Sequence, residues 1–283
     1  MHYDHLSFRV SRILCLQSTL TVVQVHREPG MDSWASVPEL FRSAAVPLPP
    51  PWEAVFGPLR AGKADDMVVV GQLGQSLDGR VAAPTGHSHY INGPAGLAHL
   101  HRLRALVDAV VIGIGTALAD DPQLTVRRVS GPHPVRVVID PTGRLHASAR
   151  LLANDGVRRI VLSGGGVRPP LPQGIEIVEL PKSGGQIAPS AILAALAERG
   201  LRRILIEGGA DTVSRFLAAG CLDRLQLIVA PIVLGSGRVG LALPPIERAD
   251  QALRAHMHVH RLDDEVLLDC DLSAQRVPAR TKV

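Results

Sequence analysis

Residues 202–212 constrain the fold more than any other stretch. Two arginines lead into Ile204-Leu205-Ile206, a short β-branched run that reads as a buried strand rather than an amphipathic helix. The strand ends on Glu207, and then come Gly208 and Gly209, with no side chain to block a ligand. Asp211 or Thr212 is placed to cap a helix whose apolar positions are Val213, Phe216 and Leu217, with Gly220 ending it. A strand, a glycine turn and a helix N-terminus converge free backbone N–H groups and the positive end of a dipole on one spot. That spot suits a phosphate or pyrophosphate. An ordinary tight β–α turn reads the same way, so the rest of the chain must decide.

At 283 residues and 46% hydrophobic, the chain can bury one large core or two small ones. No apolar run is long enough to span a bilayer. The segment 13–25 is broken by Gln17, Ser18, Thr19 and Gln24 and has no small-residue cleavage pattern after it, despite Arg9 and Arg12 before it. Met31 offers a plainer expectation, in which residues 1–30 are an upstream extension. Cys15, Cys221 and Cys270 are far apart and form no CxxC pair, which fits a reducing cytoplasm and no disulfide framework. The pI of 9.3 comes almost wholly from arginine, the lysines being Lys63, Lys182 and Lys282. Without a basic run, and with 3% aromatics, this charge does not make a nucleic-acid surface. Arginine is the better fork for carboxylates and phosphates. A genome that prefers Arg, Ala, Gly and Pro codons explains the total equally well, so individual positions must carry the argument.

Residues 31–66 read as an arm holding Trp34, Phe41, Trp52 and Phe56 around an extended Pro-rich link, 47–51. From Met67 onward the aromatics are Tyr90 and Phe216, so the arm is expected to dock on the body or on a second subunit. The body runs from 67 to 272, followed by a tail, 273–283. Its strands are expected at 67–73, 109–114, 135–139, 160–162, 175–178, 225–230, 256–260 and 266–270, besides the one already described. The last two are close enough to pair as a hairpin. His256, His258 and His260 alternate there, reading as a solvent face with Met257 and Val259 inward rather than as a metal site.

A helix starts at Pro94 and carries Leu97, Leu100, Leu103 and Val107 on one face. Arg104 falls on that face, where a charge is costly unless paired. It snorkels at the edge of the stripe, or it meets an anionic ligand or a buried carboxylate. Gly113-x-Gly115 after a strand is an incomplete dinucleotide turn, weak by itself. Asp120 and Asp121 stand side by side without the His/Glu partners that a metal needs. Asp140 and Ser163 follow two strands, where open α/β sheets place ligands.

Several separated segments occur in a telling order. They are Ser76-Leu77-Asp78-Gly79-Arg80, Thr116 with Asp120-Asp121-Pro122-x-Leu124-Thr125-Val126-Arg127, Arg136 to Asp140, Glu207-Gly208-Gly209, and Ala230-Pro231-x-x-Leu234-Gly235. The set resembles the reductase domain of riboflavin biosynthesis, the C-terminal part of the bifunctional RibD deaminase/reductase and its stand-alone relatives, over roughly 67–272. The resemblance implies a dihydrofolate-reductase-like α/β fold, a three-layer sandwich with a central mostly parallel sheet and a C-terminal antiparallel hairpin. It also implies a homodimer and NADPH-dependent reduction of a ribosylamino-pyrimidine 5′-phosphate. No H-x-E followed by P-C-x-x-C occurs, so zinc deamination is excluded.

By the same resemblance, Gly74, Tyr90, Thr116, Asp120 and Ser163 lie on the cofactor side. Gly208, Gly209, Ala210, Asp211, Thr212, Val213, Ser214 and Arg215 surround the pyrophosphate. Ser88, Arg104, Leu124, Arg127 and Glu207 lie on the substrate side, with Arg104 and Arg127 clamping the sugar phosphate. Asp120 or Glu207 is the acid near the opening ribose ring, or else orients a hydroxyl or the nicotinamide amide. No metal is implied. Two departures stand out: Gln72 occupies a position usually lysine in the family, and Tyr90 one usually tryptophan. A dihydropterin or dihydrofolate-type reductase on the same fold, and a nucleotide-binding protein without catalysis, are the alternatives.

Overall fold

The structure, a computed structural model, describes residues 33–279 apart from 44, 63, 89, 90 and 168. Along the chain come α1 (Val37–Ser43), α2 (Trp52–Phe56), β1 (Val68–Ser76), β2 (Arg80–Ala82), α3 (Pro94–Leu106), β3 (Ala109–Gly113), α4 (Ile114–Asp120) and β4 (Val135–Asp140). Then follow β5 (Arg159–Gly164), β6 (Glu176–Leu180), β7 (Lys182–Ser183), β8 (Gln186–Ile187), α5 (Pro189–Ala197) and β9 (Arg203–Glu207). The last elements are α6 (Ala210–Ala218), β10 (Arg224–Ala230), β11 (Arg238–Val239), β12 (His256–Leu262) and β13 (Glu265–Asp271).

The central sheet has nine strands in the order β12-β13-β10-β1-β9-β3-β4-β5-β6. Pairing is parallel from β10 through β6. The hairpin of β12 and β13 closes the other edge antiparallel. This is the dihydrofolate-reductase-like α/β sandwich that the sequence implies. Its apolar strands carry few polar residues because both faces are covered. Val68 and Val70 of β1 point to one face, under α3, while Met67 and Val69 point to the other, under α5 and α6.

The aromatic arm supplies much of the first layer. Trp34, Phe41, Trp52 and Phe56 join Leu103 and Leu106 of α3 and Val110 of β3 in a single core cluster. Trp34 meets Trp52 edge-on at 5.2 Å and Phe56 stacks on His99 at 5.4 Å, while the Arg102 guanidinium lies 4.6 Å above the Trp52 ring. Rings scarce elsewhere in the chain are thus concentrated where one sheet face lacks other helices to cover it.

Three local features add to or change the expectations. The incomplete dinucleotide turn after β3 opens directly into the helix α4, ended by Asp121 in the left-handed region at φ 37°. Helix α6 starts at Ala210 with Gly209 as its N-cap and no side-chain cap, so Asp211 and Thr212 lie inside its first turn. On β12 it is Met257 that is half exposed and His260 that is buried, because the strand's later residues pair alongside Leu267 in the covered part of the sheet. No metal-holding group of His, Cys, Asp and Glu occurs among the described residues. No described helix is long and apolar enough to cross a membrane.

Candidate cofactor and substrate site

A cavity of about 730 Å³ opens where β1, β3 and β9 end, and its walls come from the starts of α3, α4 and α6. Gly74, Thr116, Asp120, Ser88, Glu207, Gly208, Gly209, Ala210, Asp211, Thr212 and Arg215 line it. Strand ends and helix starts meet there because parallel β–α units all turn in the same sense.

Gly208 and Gly209 have φ of 63° and 53°, a region that glycine enters without strain. A Cβ on Gly209 would lie 2.5 Å from Thr116 Oγ1, so the turn and α4 touch backbone to side chain. With no side-chain cap, the first-turn N–H groups of α6 face the cavity. Beyond Thr212 the helix rotates away. Val213 is fully buried in the core, and the buried Ser214 accepts a hydrogen bond from Ala242 N. Of the run 208–215, these two therefore do not reach the cavity. Arg215 stays on its rim and donates to Gln186 Oε1 and Ile187 O.

Arg104 finds a buried carboxylate. Its Nε and Nη2 donate to the two Glu207 oxygens at 2.7 and 2.5 Å, and Nη1 donates to Thr125 O at 2.9 Å. Glu207 lies about a hundred positions along the chain, on β9 directly beneath α3. The fork that the sequence assigned to a phosphate is thus held by protein, and Arg104 does not line the cavity. Arg127 is exposed, with Nη1 3.4 Å from Thr125 Oγ1, and lies outside the lining as well. Leu124 is fully buried at φ 55°, and Ser163 is fully buried and donates to Val167 O. Neither lines the cavity. Tyr90 lies outside the described residues.

Among the lining residues not singled out as site residues, four polar ones stand out. Arg144 and Arg238 are exposed guanidiniums on the rim. Asn92 donates to Glu265 Oε1 at 2.8 Å, and a Cβ on Gly74 would overlap its Oδ1. Glu265 also accepts from Gly93 N and Gly96 N, anchoring the start of α3 from β13. The fourth is Gln72, which the sequence marked only as a departure. Nothing local in the sequence distinguishes these residues; the strand order brings them together.

Two buried histidines on α3 flank this region. His99, hydrogen-bonded to Gln226 Oε1 at 2.7 Å, is pushed down to about 4 mainly by burial. His101, whose Nδ1 accepts from Arg127 N at 3.0 Å, is pushed down to about 3 by burial and then by Arg104, Arg127 and Arg128. Both have a folded value below the unfolded one near 6.5, so the unfolded chain binds more protons below that pH. Their stabilisation is complete above about pH 6.5 and is lost as pH falls towards the folded values. We expect the urea midpoint to be flat above neutrality and to fall below about pH 6.5, the unfolding free energy dropping by at most about 1.4 kcal/mol per pH unit for each histidine. His99→Gln combined with His101→Gln should flatten that limb. A midpoint unchanged down to about pH 5 in the parent protein would contradict it.

The profile of the RibD C-terminal domain family matches residues 67–267. Over 193 residues the chain is 34% identical to the 2,5-diamino-6-ribosylamino-4(3H)-pyrimidinone 5′-phosphate reductase of Methanothermobacter thermautotrophicus, covering 65% of this chain and 86% of that protein. It is 36% identical to the riboflavin biosynthesis protein RibD of Mycobacterium tuberculosis over 56% of this chain, but spans only 41% of that longer protein. Among solved structures, Acinetobacter baumannii RibD superposes with a TM-score of 0.62 at 30% identity, covering 72% of this chain and 58% of that one. The deaminase/5-amino-6-(5-phosphoribosylamino)uracil reductase of Thermotoga maritima gives 0.63 at 25% identity, covering 78% and 59%.

Proposed function

The chain belongs to the RibD C-terminal domain family, and on that premise we propose that it is an NADPH-dependent reductase of a phosphorylated ribosylamino-pyrimidine in riboflavin biosynthesis. The observation that carries this reading is the single cavity onto which the Gly208-Gly209 turn, the α6 N-terminus and the Glu207–Arg104 pair converge. NADPH fits these residues on physical grounds. The glycine turn is a cradle that a Cβ would fill, and the uncapped α6 amides suit a pyrophosphate. Thr116, from α4, closes the other side of that turn. Arg144 and Arg238 on the rim suit the additional phosphate that separates NADPH from NADH. When bound, the cofactor supplies the hydride.

The protein's part is then to hold and orient the substrate. Glu207 faces the cavity with both oxygens fixed by Arg104, so it presents a rigid acceptor for a substrate hydroxyl or amine. Asp120, exposed at the end of α4 on the cavity wall, is the second carboxylate in reach. For the sugar phosphate the reading rests on Arg127 alone, now that Arg104 is paired. Burial and then the charges of Arg104, Arg128 and Arg150 lower the Arg127 pKa, while the Glu207 carboxylate acts the other way. The reading places the reductase unit at 67–272 and includes a homodimer in the cytoplasm, with Cys221 and Cys270 as free thiols.

Arg127→Ala tests the assignment. It should raise KM for the phosphorylated substrate by roughly tenfold or more while leaving the Kd for NADPH within about twofold. Equal loss of both affinities would place that arginine on the cofactor instead.

A further inference from the structure

The loop that carries Arg127 has no regular secondary structure over residues 121–127. Its backbone is held by side chains from outside that run. Arg104 Nη1 donates to Thr125 O at 2.9 Å, Val126 N donates to His133 Nδ1 at 3.0 Å, and Arg127 N donates to His101 Nδ1 at 3.0 Å. Leu124 sits at φ 55°, a left-handed value that a non-glycine residue keeps only where its surroundings fix it. Leu124 and Val126 are buried in the same core cluster as Trp34, Val37 and Phe41 of the N-terminal arm, and Val129 packs against it.

The arm also reaches this loop directly. Trp34, only 3% exposed, donates its indole Nε1–H to Ser130 O at 2.8 Å, across 96 positions of the chain. Burial obliges an indole N–H to find an acceptor, and the one it finds belongs to the segment just after Arg127. Gly131 then passes between the arm and α3. A Cβ there would lie 2.6 Å from Ala105 Cβ and 3.6 Å from Pro38 Cγ on α1. From α3 the Arg102 guanidinium lies 5.7 Å from the Trp34 ring and 4.6 Å from the Trp52 ring, so arm, helix and loop form one packed unit. The arm residues making these contacts stand outside 67–267, the span that the family profile matches.

An exposed guanidinium meets a phosphate reproducibly only where the backbone beneath it is fixed. We propose that the N-terminal arm is part of the site: by holding Ser130 and Gly131 against α3 it fixes the backbone that carries Arg127, with Trp34 as the positioning residue. This inference rests on the functional reading above, since it presumes that Arg127 meets the substrate phosphate.

The test measures KM and kcat with a ribosylamino-pyrimidine 5′-phosphate, and the Kd for NADPH by calorimetry, in the parent protein, Trp34→Phe, Arg127→Ala and the double variant. Trp34→Phe keeps a ring in the core and removes the N–H donor. It should raise KM by roughly threefold to tenfold, with kcat and NADPH affinity within about twofold. That affinity also shows that the variant folds. In the Arg127→Ala background the same substitution should raise KM no further, because the group that Trp34 positions is gone. An unchanged KM in Trp34→Phe, a parallel loss of NADPH affinity, or an equal effect of the substitution with and without Arg127 would overturn the proposal while leaving the reductase reading intact. A parental KM in Arg127→Ala would overturn the phosphate assignment and the proposal with it. Turnover of no ribosylamino-pyrimidine by the parent protein would contradict the reductase reading itself and everything that rests on it.

Discussion

Glu207→Ala is expected to destabilise the protein by about 3–5 kcal/mol, the largest effect of any single substitution at the site. Arg104 is 5% exposed and would remain in the interior with two guanidinium nitrogens stripped of their acceptors. Its third contact, to Thr125 O, cannot offset that loss. Pairing also ties α3 to β9, so its loss loosens the wall that Leu97 and Leu100 contribute to the cavity. Urea unfolding near neutral pH measures the loss, and Arg104→Met in the same background should restore much of it by removing the stranded charge. A change within about 1 kcal/mol for Glu207→Ala would mean that the pair is screened by solvent as a surface bridge is.

Gly209→Val should abolish measurable NADPH binding with a smaller effect on stability. The residue sits at φ 53°, where a β-branched side chain is strained by roughly 1–2 kcal/mol. Its Cβ would also press on Thr116 Oγ1 at 2.5 Å, forcing α4 and the start of α6 apart. The amides that the cavity presents to an anion would then no longer converge. Calorimetric titration with NADPH is the check, and the expected loss is at least about a hundredfold, equivalent to about 2.7 kcal/mol. Retention of parental affinity would show that the pyrophosphate is bound elsewhere.

The parallel strands of the central sheet were legible because each is a short apolar run bounded by glycine, proline or charge, whereas the two- and three-residue strands β2, β7, β8 and β11 carry no such run. Helix α4 was not legible, since Ala117 and Leu118 sit between Gly115 and Asp120-Asp121, and the glycine masked a helix of only seven residues. Arg104 shows both the reach and the limit of such reading. Its place on an apolar face announced a buried anion, but only the strand order puts Glu207 beneath it. The resemblance implies Val213 and Ser214 in the site together with the glycine turn, but the 3.6-residue helical period turns them into the core and towards Ala242. Gln72 and Asn92 matter through neighbours on β9, β10 and β13, which no window along the chain contains.

The central claim is tested most directly by following loss of the reduced-nicotinamide absorbance when the purified protein meets NADPH and a ribosylamino-pyrimidine 5′-phosphate, with the product identified by mass spectrometry. The account predicts stoichiometric oxidation of NADPH and conversion of the ribosylamino group to its ribitylamino form. NADPH bound tightly but never consumed, with either the diamino-pyrimidinone or the uracil, would contradict it.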